Sequence, residues 1–93
     1  MQITDDTLLI DVRTPLEYAQ GHLAGSLNIP HEQVEDIASA IGDQKDRPVI
    51  LFCRSGARSG MALGLLLQHG YTNLANGGGV VELADRLGLT LTT

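Results

Sequence analysis

Apolar residues arrive in this chain as short, nearly unbroken runs, each followed by turn residues and then by a segment with helical spacing. Thr7-Leu8-Leu9-Ile10-Asp11-Val12 is the first run, interrupted by one carboxylate near its end. Pro48-Val49-Ile50-Leu51-Phe52 is another, bounded by Pro and β-branched at Val49 and Ile50. Runs that do not alternate predict strands covered on both faces, as in a parallel sheet. Between them, Thr14-Pro15-Leu16-Glu17 has the spacing of a capping box with Pro at the first helical position, which predicts a short helix that Gly21 stops. Gly25-Ser26-Leu27-Asn28-Ile29-Pro30 reads as a short strand closed by Pro. Val34, Ile37, Ala38 and Ile41 then recur at helical spacing as far as Gly42.

Asp43 to Arg47 is a charged connection, most simply a solvated loop. After the strand at 48–52 comes a loop around Cys53, then a helix over about 59–69, rich in Leu, Met and Ala, with Gly70 as its stop. Tyr71 to Leu74 reads as a short strand, Asn76-Gly77-Gly78-Gly79 as a tight turn, and Val80 to Leu87 as a last helix ending at Gly88. The tail Leu89–Thr93 is open between pairing as an edge and fraying. Alternating strands and helices predict an α/β fold with a mainly parallel central sheet of four to five strands and helices on both faces. A chain of 93 residues is expected to form one domain, 1–93.

Composition narrows the partners. Aromatic residues make up 3% of the chain, so the core must be aliphatic. The net charge is −5 and the six basic residues do not cluster outside the cysteine loop, which argues against a nucleic-acid backbone or an anionic membrane as partner. A single cysteine forms no internal disulfide, and His22, His31 and His69 lack zinc-ligand spacing, so no metal is expected. No apolar run approaches membrane-spanning length and the N-terminus lacks signal-peptide regions. The expectation is a cytoplasmic monomer, or a periplasmic one if a signal has been removed.

Chemistry concentrates at Phe52-Cys53-Arg54-Ser55-Gly56-Ala57-Arg58-Ser59, between the strand at 48–52 and the helix after it. N–H groups left unpaired at a helix start converge on such a junction, and a thiolate is an anion that they would attract. With Arg54 and Arg58 alongside, Cys53 is a candidate nucleophile of lowered pKa; the plainer alternative is a buried structural cysteine. In an open α/β sheet, sites gather at the carboxyl ends of the strands, which places Asp11 and Arg13 near the same crevice. Asp11 reads as a supporting residue, a buried carboxylate paired with an amide or an arginine. Arg13 is open between binding an anionic substrate and pairing with Asp11 or Glu17.

The run Asp11-Val12-Arg13, followed by Glu17-Tyr18-Ala19-Gln20-Gly21-His22-Leu23-Ala24-Gly25-Ser26-Leu27-Asn28-Ile29-Pro30, resembles the signature of the rhodanese (thiosulfate sulfurtransferase) family. Cys53 to Ser59 resembles its active-site loop, and Asn76-Gly77-Gly78 the glycine pair before its last helix. The match spans nearly the whole chain in order and is similar to the small single-domain phage-shock type. The resemblance implies a three-layer sandwich and a double displacement. Cys53 would take the outer sulfur of thiosulfate, expel sulfite, and pass the persulfide sulfur to cyanide or to a thiol, including that of a thioredoxin-like protein. It also implies that Arg54, Ser55, Gly56, Ala57, Arg58 and Ser59 bind the donor, with no cofactor.

Two other readings remain beside it. Related folds carry Cys-loop phosphatases and arsenate reductases; phosphatase loops have one more residue between Cys and Arg than the four separating Cys53 from Arg58, so the cradle here is smaller. The other is a persulfide carrier or regulatory module serving a protein partner. One departure from the family pattern is plain: where many relatives have an aromatic just after the glycine pair, this chain has Gly79-Val80-Val81 and no Trp. His22 is expected to be a hydrogen-bonded structural residue, and His31 and His69 to lie at the surface or at helix ends.

Overall fold

A computed structural model describes residues 3–93. Its elements in chain order are β1 (Leu8–Asp11), α1 (Pro15–Gln20), β2 (His22–Leu23), β3 (Leu27–Asn28), α2 (Val34–Ile41), β4 (Val49–Cys53), α3 (Ala57–Gln68), β5 (Leu74–Gly79), α4 (Val80–Leu87) and β6 (Leu91–Thr92). The main sheet is wholly parallel, in the order β3-β1-β4-β5. This is the expected α/β architecture, with four strands in the central sheet.

The central strands are buried because both of their faces are covered. All five residues of β4 are buried, and their side chains alternate between two apolar layers. Val49, Leu51 and Cys53 pack with Ile37 and Ile41 of α2 and with Ala62 and Leu66 of α3. Ile50 and Phe52 pack on the other side with Leu23 and with Val80, Leu83 and Ala84 of α4. A strand between two helical layers cannot alternate apolar with polar, which is why its sequence is a continuous run.

Helix α1 starts as its sequence requires. Thr14 is the N-cap; its Oγ1 accepts from the Glu17 N–H at 3.2 Å, and the Glu17 carboxylate accepts from the Thr14 N–H at 3.1 Å. Both bonds of the capping box are therefore made.

Two expectations about the last third of the chain are corrected. Tyr71 is not in a strand but in the loop before one, buried, with its hydroxyl 3.0 Å from the carbonyls of Ala38 and Gly42 at the end of α2. Asn76 to Gly79 is not a tight turn but the last four residues of β5, paired with β4 through a register shift that leaves Gly77 as the extra residue. Glycine disfavours strands in isolation, but here the pairing edge of the fully buried β4 decides the conformation. Close approach makes Gly79 necessary: a Cβ there would lie 2.6 Å from the Arg54 carbonyl oxygen.

The tail resolves as an edge pairing. Leu91 and Thr92 pair antiparallel with Leu23 and His22, forming a separate two-stranded sheet. Strand β2 had no signal of its own, because two residues carry no periodicity and their partner lies at the far end of the chain. His22 is held as expected, its ring stacked 3.9 Å from that of Tyr18 and its Nδ1 2.9 Å from the Tyr18 carbonyl.

Candidate active site

Cys53 is the last residue of β4, at the carboxyl edge of the sheet, and its side chain is fully buried. The chain then turns through Arg54-Ser55-Gly56 into α3. Gly56 takes the left-handed conformation with φ 96°, a conformation costly for residues with a side chain, and a Cβ on it would meet Gly78 Cα at 3.2 Å. This turn aims the Gly56 N–H at the sulfur, donating to Sγ at 3.0 Å.

Burial pushes the Cys53 thiol up, but bonds that favour the thiolate outweigh it: the Ser59 N–H and hydroxyl, then the N–H groups of Ser55 and Gly56. The result is a pKa of about 7 against an ordinary value of 9.0. Helix α3 begins four residues after the cysteine, so its first turn and the loop before it form a nest of donors around the sulfur. The Ser59 hydroxyl has one proton and three acceptors near it: Asn76 Oδ1 at 2.7 Å, the Gly56 carbonyl at 3.1 Å and Sγ at 3.6 Å. Rotation of that hydroxyl lets it answer a negative charge on the sulfur without moving the backbone.

Alkylation of Cys53 by iodoacetamide is expected to rise with pH through about 7 and to level off above about pH 8, since only the thiolate reacts. A rate still climbing at pH 9 would show an unshifted thiol. Initial rates of modification across pH 5–10, followed by intact mass, make the measurement.

The expected loop residues divide by role. Arg54 is exposed and, among the described residues, has no side-chain partner. Arg58 is different: its Nη1 and Nη2 donate to the two oxygens of Glu17, at 2.7 and 3.1 Å. Arg58's pKa is raised by Glu17, against the effect of burial, and further by the nearby Cys53 sulfur. Glu17 is held down to about 2, chiefly by the hydrogen bond from Arg58 and then by the Thr14 N–H. Arg58 is thus anchored beside the nucleophile with its charge largely met by a carboxylate.

Asp11 and Arg13 form a buried pair. The Asp11 carboxylate accepts from Arg13 Nε at 3.0 Å and from Nη2 at 2.7 Å, and also from the Arg13 N–H at 3.0 Å. Arg13 Nη2 donates onward to the Gly21 carbonyl at 2.7 Å, tying the end of β1 to the end of α1. Of the alternatives for Arg13, the structure takes the pairing with Asp11.

Two site residues escaped the sequence reading. Glu17 reads in the sequence as a helix cap and a candidate partner of Arg13, yet it pairs with and orients Arg58. Asn76 bridges the cysteine loop to β5: its Nδ2 donates to the Gly56 carbonyl at 3.0 Å, and its Oδ1 accepts from the Gly78 N–H at 3.0 Å and from Ser59. Its place just before the glycines was the available signal.

A cleft of about 280 Å³ that includes Arg54 of the cysteine loop is lined by Arg13, Glu17, Gln20, Gly21, Arg54, Val80, Val81 and Leu91. Arg54 follows Cys53 directly in the chain, but Cys53 itself is fully buried and is not part of the cleft lining.

Fold and site together define a class, an α/β domain built around one activated cysteine at the carboxyl edge of a parallel sheet. The rhodanese-like domain family matches residues 1–83. A sulfurtransferase of Allochromatium vinosum is 44% identical over 82 residues, covering 87% of this chain and 75% of its own. Thiosulfate sulfurtransferase PspE of Escherichia coli is 42% identical over 76 residues, covering 81% and 72%. Among solved structures, a rhodanese with anions from E. coli superposes with a TM-score of 0.76 at 42% identity, over 82% of this chain and 89% of that one. This chain belongs to the rhodanese-like family, as its signature run and cysteine loop implied.

Proposed function

We propose that this chain is a thiosulfate sulfurtransferase that carries the transferred sulfur on Cys53. The observation that supports it most is the ring of loop donors at Cys53, with the Gly56 N–H 3.0 Å and the Ser59 hydroxyl 3.6 Å from Sγ, a site that stabilises a sulfur anion and lowers the thiol pKa. The thiolate attacks the outer sulfur of thiosulfate, the S–S bond of the donor breaks, and its electron pair leaves with sulfite. The new outer sulfur is then attacked by cyanide or by a thiolate, the Sγ–S bond breaks, and Cys53 returns as the thiolate.

Residue roles follow from charge and reach. Arg54, with no carboxylate partner among the described residues, draws the dianionic donor into the cleft. The N–H groups of Ser55, Gly56 and Ser59 hold the charge on the sulfur through both steps. Arg58, fixed by Glu17, adds positive potential beside it. Asp11 and Arg13 keep β1 and α1 in place around the cleft. The short spacing from Cys53 to Arg58 favours a sulfur atom over a tetrahedral phosphate.

Treating the protein with thiosulfate and removing excess reagent is expected to increase its intact mass by one sulfur, with peptide mapping placing the sulfur on Cys53. Cyanide is expected to restore the original mass and release thiocyanate. A wild-type mass that thiosulfate leaves unchanged would overturn the proposal.

A further inference from the structure

The N–H groups around the Cys53 sulfur are fixed by the backbone, whereas the Ser59 hydroxyl turns about a single bond. Where its one proton points is decided by the acceptors around it. Ser59 is fully buried, so bulk water does not compete for that proton.

Asn76 settles the competition through its own bonds. Its Nδ2 donates to the Gly56 carbonyl at 3.0 Å, and its Oδ1 accepts from the Gly78 N–H at 3.0 Å. Turning the amide over would set oxygen against oxygen and N–H against N–H, so Oδ1 is the atom that faces the Ser59 hydroxyl, at 2.7 Å. The Gly56 carbonyl, 3.1 Å from the same hydroxyl, is the weaker rival. It already accepts from the Gly60 N–H and from Asn76 Nδ2, each at 3.0 Å, which occupies both of its lone pairs. Gly60 also leaves room for the amide, since a Cβ there would stand 3.3 Å from Asn76 Nδ2. At rest the Ser59 proton is therefore committed to Asn76, with Sγ, 3.6 Å from the Ser59 oxygen, as the alternative it reaches by rotation.

The two displacements proposed above ask for this proton at one stage and not at the other. In the free thiolate, Sγ carries the charge and attracts the hydroxyl. In the persulfide, the charge sits on the outer sulfur, Sγ is neutral, and the proton turns back to Asn76. Each turn toward Sγ gives up the 2.7 Å bond, so Asn76 limits how strongly the thiolate is held. A thiolate held less tightly is the stronger nucleophile.

We infer that Asn76 is a positioning residue: by competing with the Cys53 sulfur for the Ser59 proton, it withholds part of the hydrogen bonding that the thiolate would otherwise receive and so keeps the sulfur reactive. The inference rests on the reading of Cys53 as the nucleophile. The charged group that faces the sulfur is Arg58 of α3, itself met by Glu17 of α1. Elsewhere β5 sets Gly79 opposite Cys53, and α2 packs against it with Ile37 and Ile41, which carry no charge.

The test follows iodoacetamide alkylation of Cys53, and kcat/KM for thiosulfate, across pH 5–10 in the wild type, Asn76→Leu, Ser59→Ala and the double variant, each checked by thermal melting. Leucine matches the shape of asparagine without its hydrogen bonds. Ser59→Ala is expected to raise the alkylation midpoint by about one pH unit, since the thiolate loses a donor. Asn76→Leu is expected to lower it by about half a unit, because the hydroxyl then gives up only the longer bond to Gly56, and to lower the plateau rate about twofold. Its kcat/KM is expected to lie about twofold below the wild type at pH 9 and slightly above it at pH 6, a crossing that simple loosening of the loop would not produce. In the Ser59→Ala background, Asn76→Leu is expected to leave the midpoint where it is. Asn76→Ala, which asks for no repacking at this exposed position, takes the place of the leucine variant if that one does not fold, with the same shifts expected. A midpoint unmoved or raised by the loss of Asn76, or a shift that persists without the Ser59 hydroxyl, would overturn the inference. Wild-type protein that takes up no sulfur from thiosulfate would remove the proposed function, and the alkylation midpoints would still decide this inference by themselves.

Discussion

Thiocyanate formation from thiosulfate and cyanide is expected to fall by at least about 10⁴-fold in Cys53→Ala, the scale seen when a covalent nucleophile is removed. The loop gives the physical reason. Its donors converge on one sulfur, and without that sulfur they retain an anion-binding nest but no electron pair to attack the donor. Cys53→Ser sharpens the test, since the hydroxyl keeps the volume and the hydrogen bonds yet ionises far above neutral pH. It is expected to be as inactive as the alanine variant. Cys53 lies in the apolar cluster beneath α2 and α3, so Cys53→Ala is expected to cost only about 1–2 kcal/mol, an amount a folded domain tolerates. A cooperative thermal transition in both variants separates lost chemistry from lost fold. Retention of more than a few per cent of wild-type turnover in either would move the nucleophile elsewhere.

Asp11→Ala is expected to be among the most damaging single changes to stability, lowering it by about 3–5 kcal/mol. Asp11 is fully buried and Arg13 is 7% exposed, so removal of the carboxylate leaves a largely buried guanidinium with no counter-charge and only the Gly21 carbonyl as partner. For a domain of this size the midpoint of thermal unfolding should drop by more than about 10 °C. Arg13→Ala is expected to cost at least as much, because the orphaned carboxylate is the more deeply buried partner. The double variant Asp11→Ala/Arg13→Ala should be less destabilised than the sum of the singles, since neither is left facing an uncompensated charge. Additive losses, measured by calorimetry or denaturant titration, would mean that the two groups act independently.

The pair also shows how stability and function meet at the edge of the sheet. Asp11 closes β1, Arg13 begins the turn into α1, and the bond from Arg13 to the Gly21 carbonyl fixes the far end of that helix. Glu17 lies between those two anchors and presents its carboxylate to Arg58. A loss at Asp11 should therefore reach Arg58 through α1, without any direct contact with the cysteine.

Several features were legible because their signals are local. Thr14, Pro15 and Glu17 specify a helix start by their own hydrogen bonds, and the structure makes both of them. The nearly unbroken runs at 7–12 and 48–52 announce strands covered on both sides, because burial on two faces requires it, and the structure forms them at 8–11 and 49–53. The cysteine loop, with its glycine and serines beside Cys53, announced a donor nest. The signature run from Asp11 to Pro30 carried the family.

What lay beyond the sequence depended on partners distant along the chain. Asn76 to Gly79 reads locally as a turn, and only the edge of β4 makes it a strand. Glu17 reads as a cap, and only α3 brings Arg58 within 2.7 Å of it. Leu91 reads as part of an undecided tail, and only its pairing with β2 makes it a wall of the cleft. The sequence by itself determined the helices, the two central strands and the family, since propensity, capping and motif act over a few residues. Tertiary structure alone decided which charges are paired and what lines the cleft, since ion pairing and cleft walls are set by distances that packing creates.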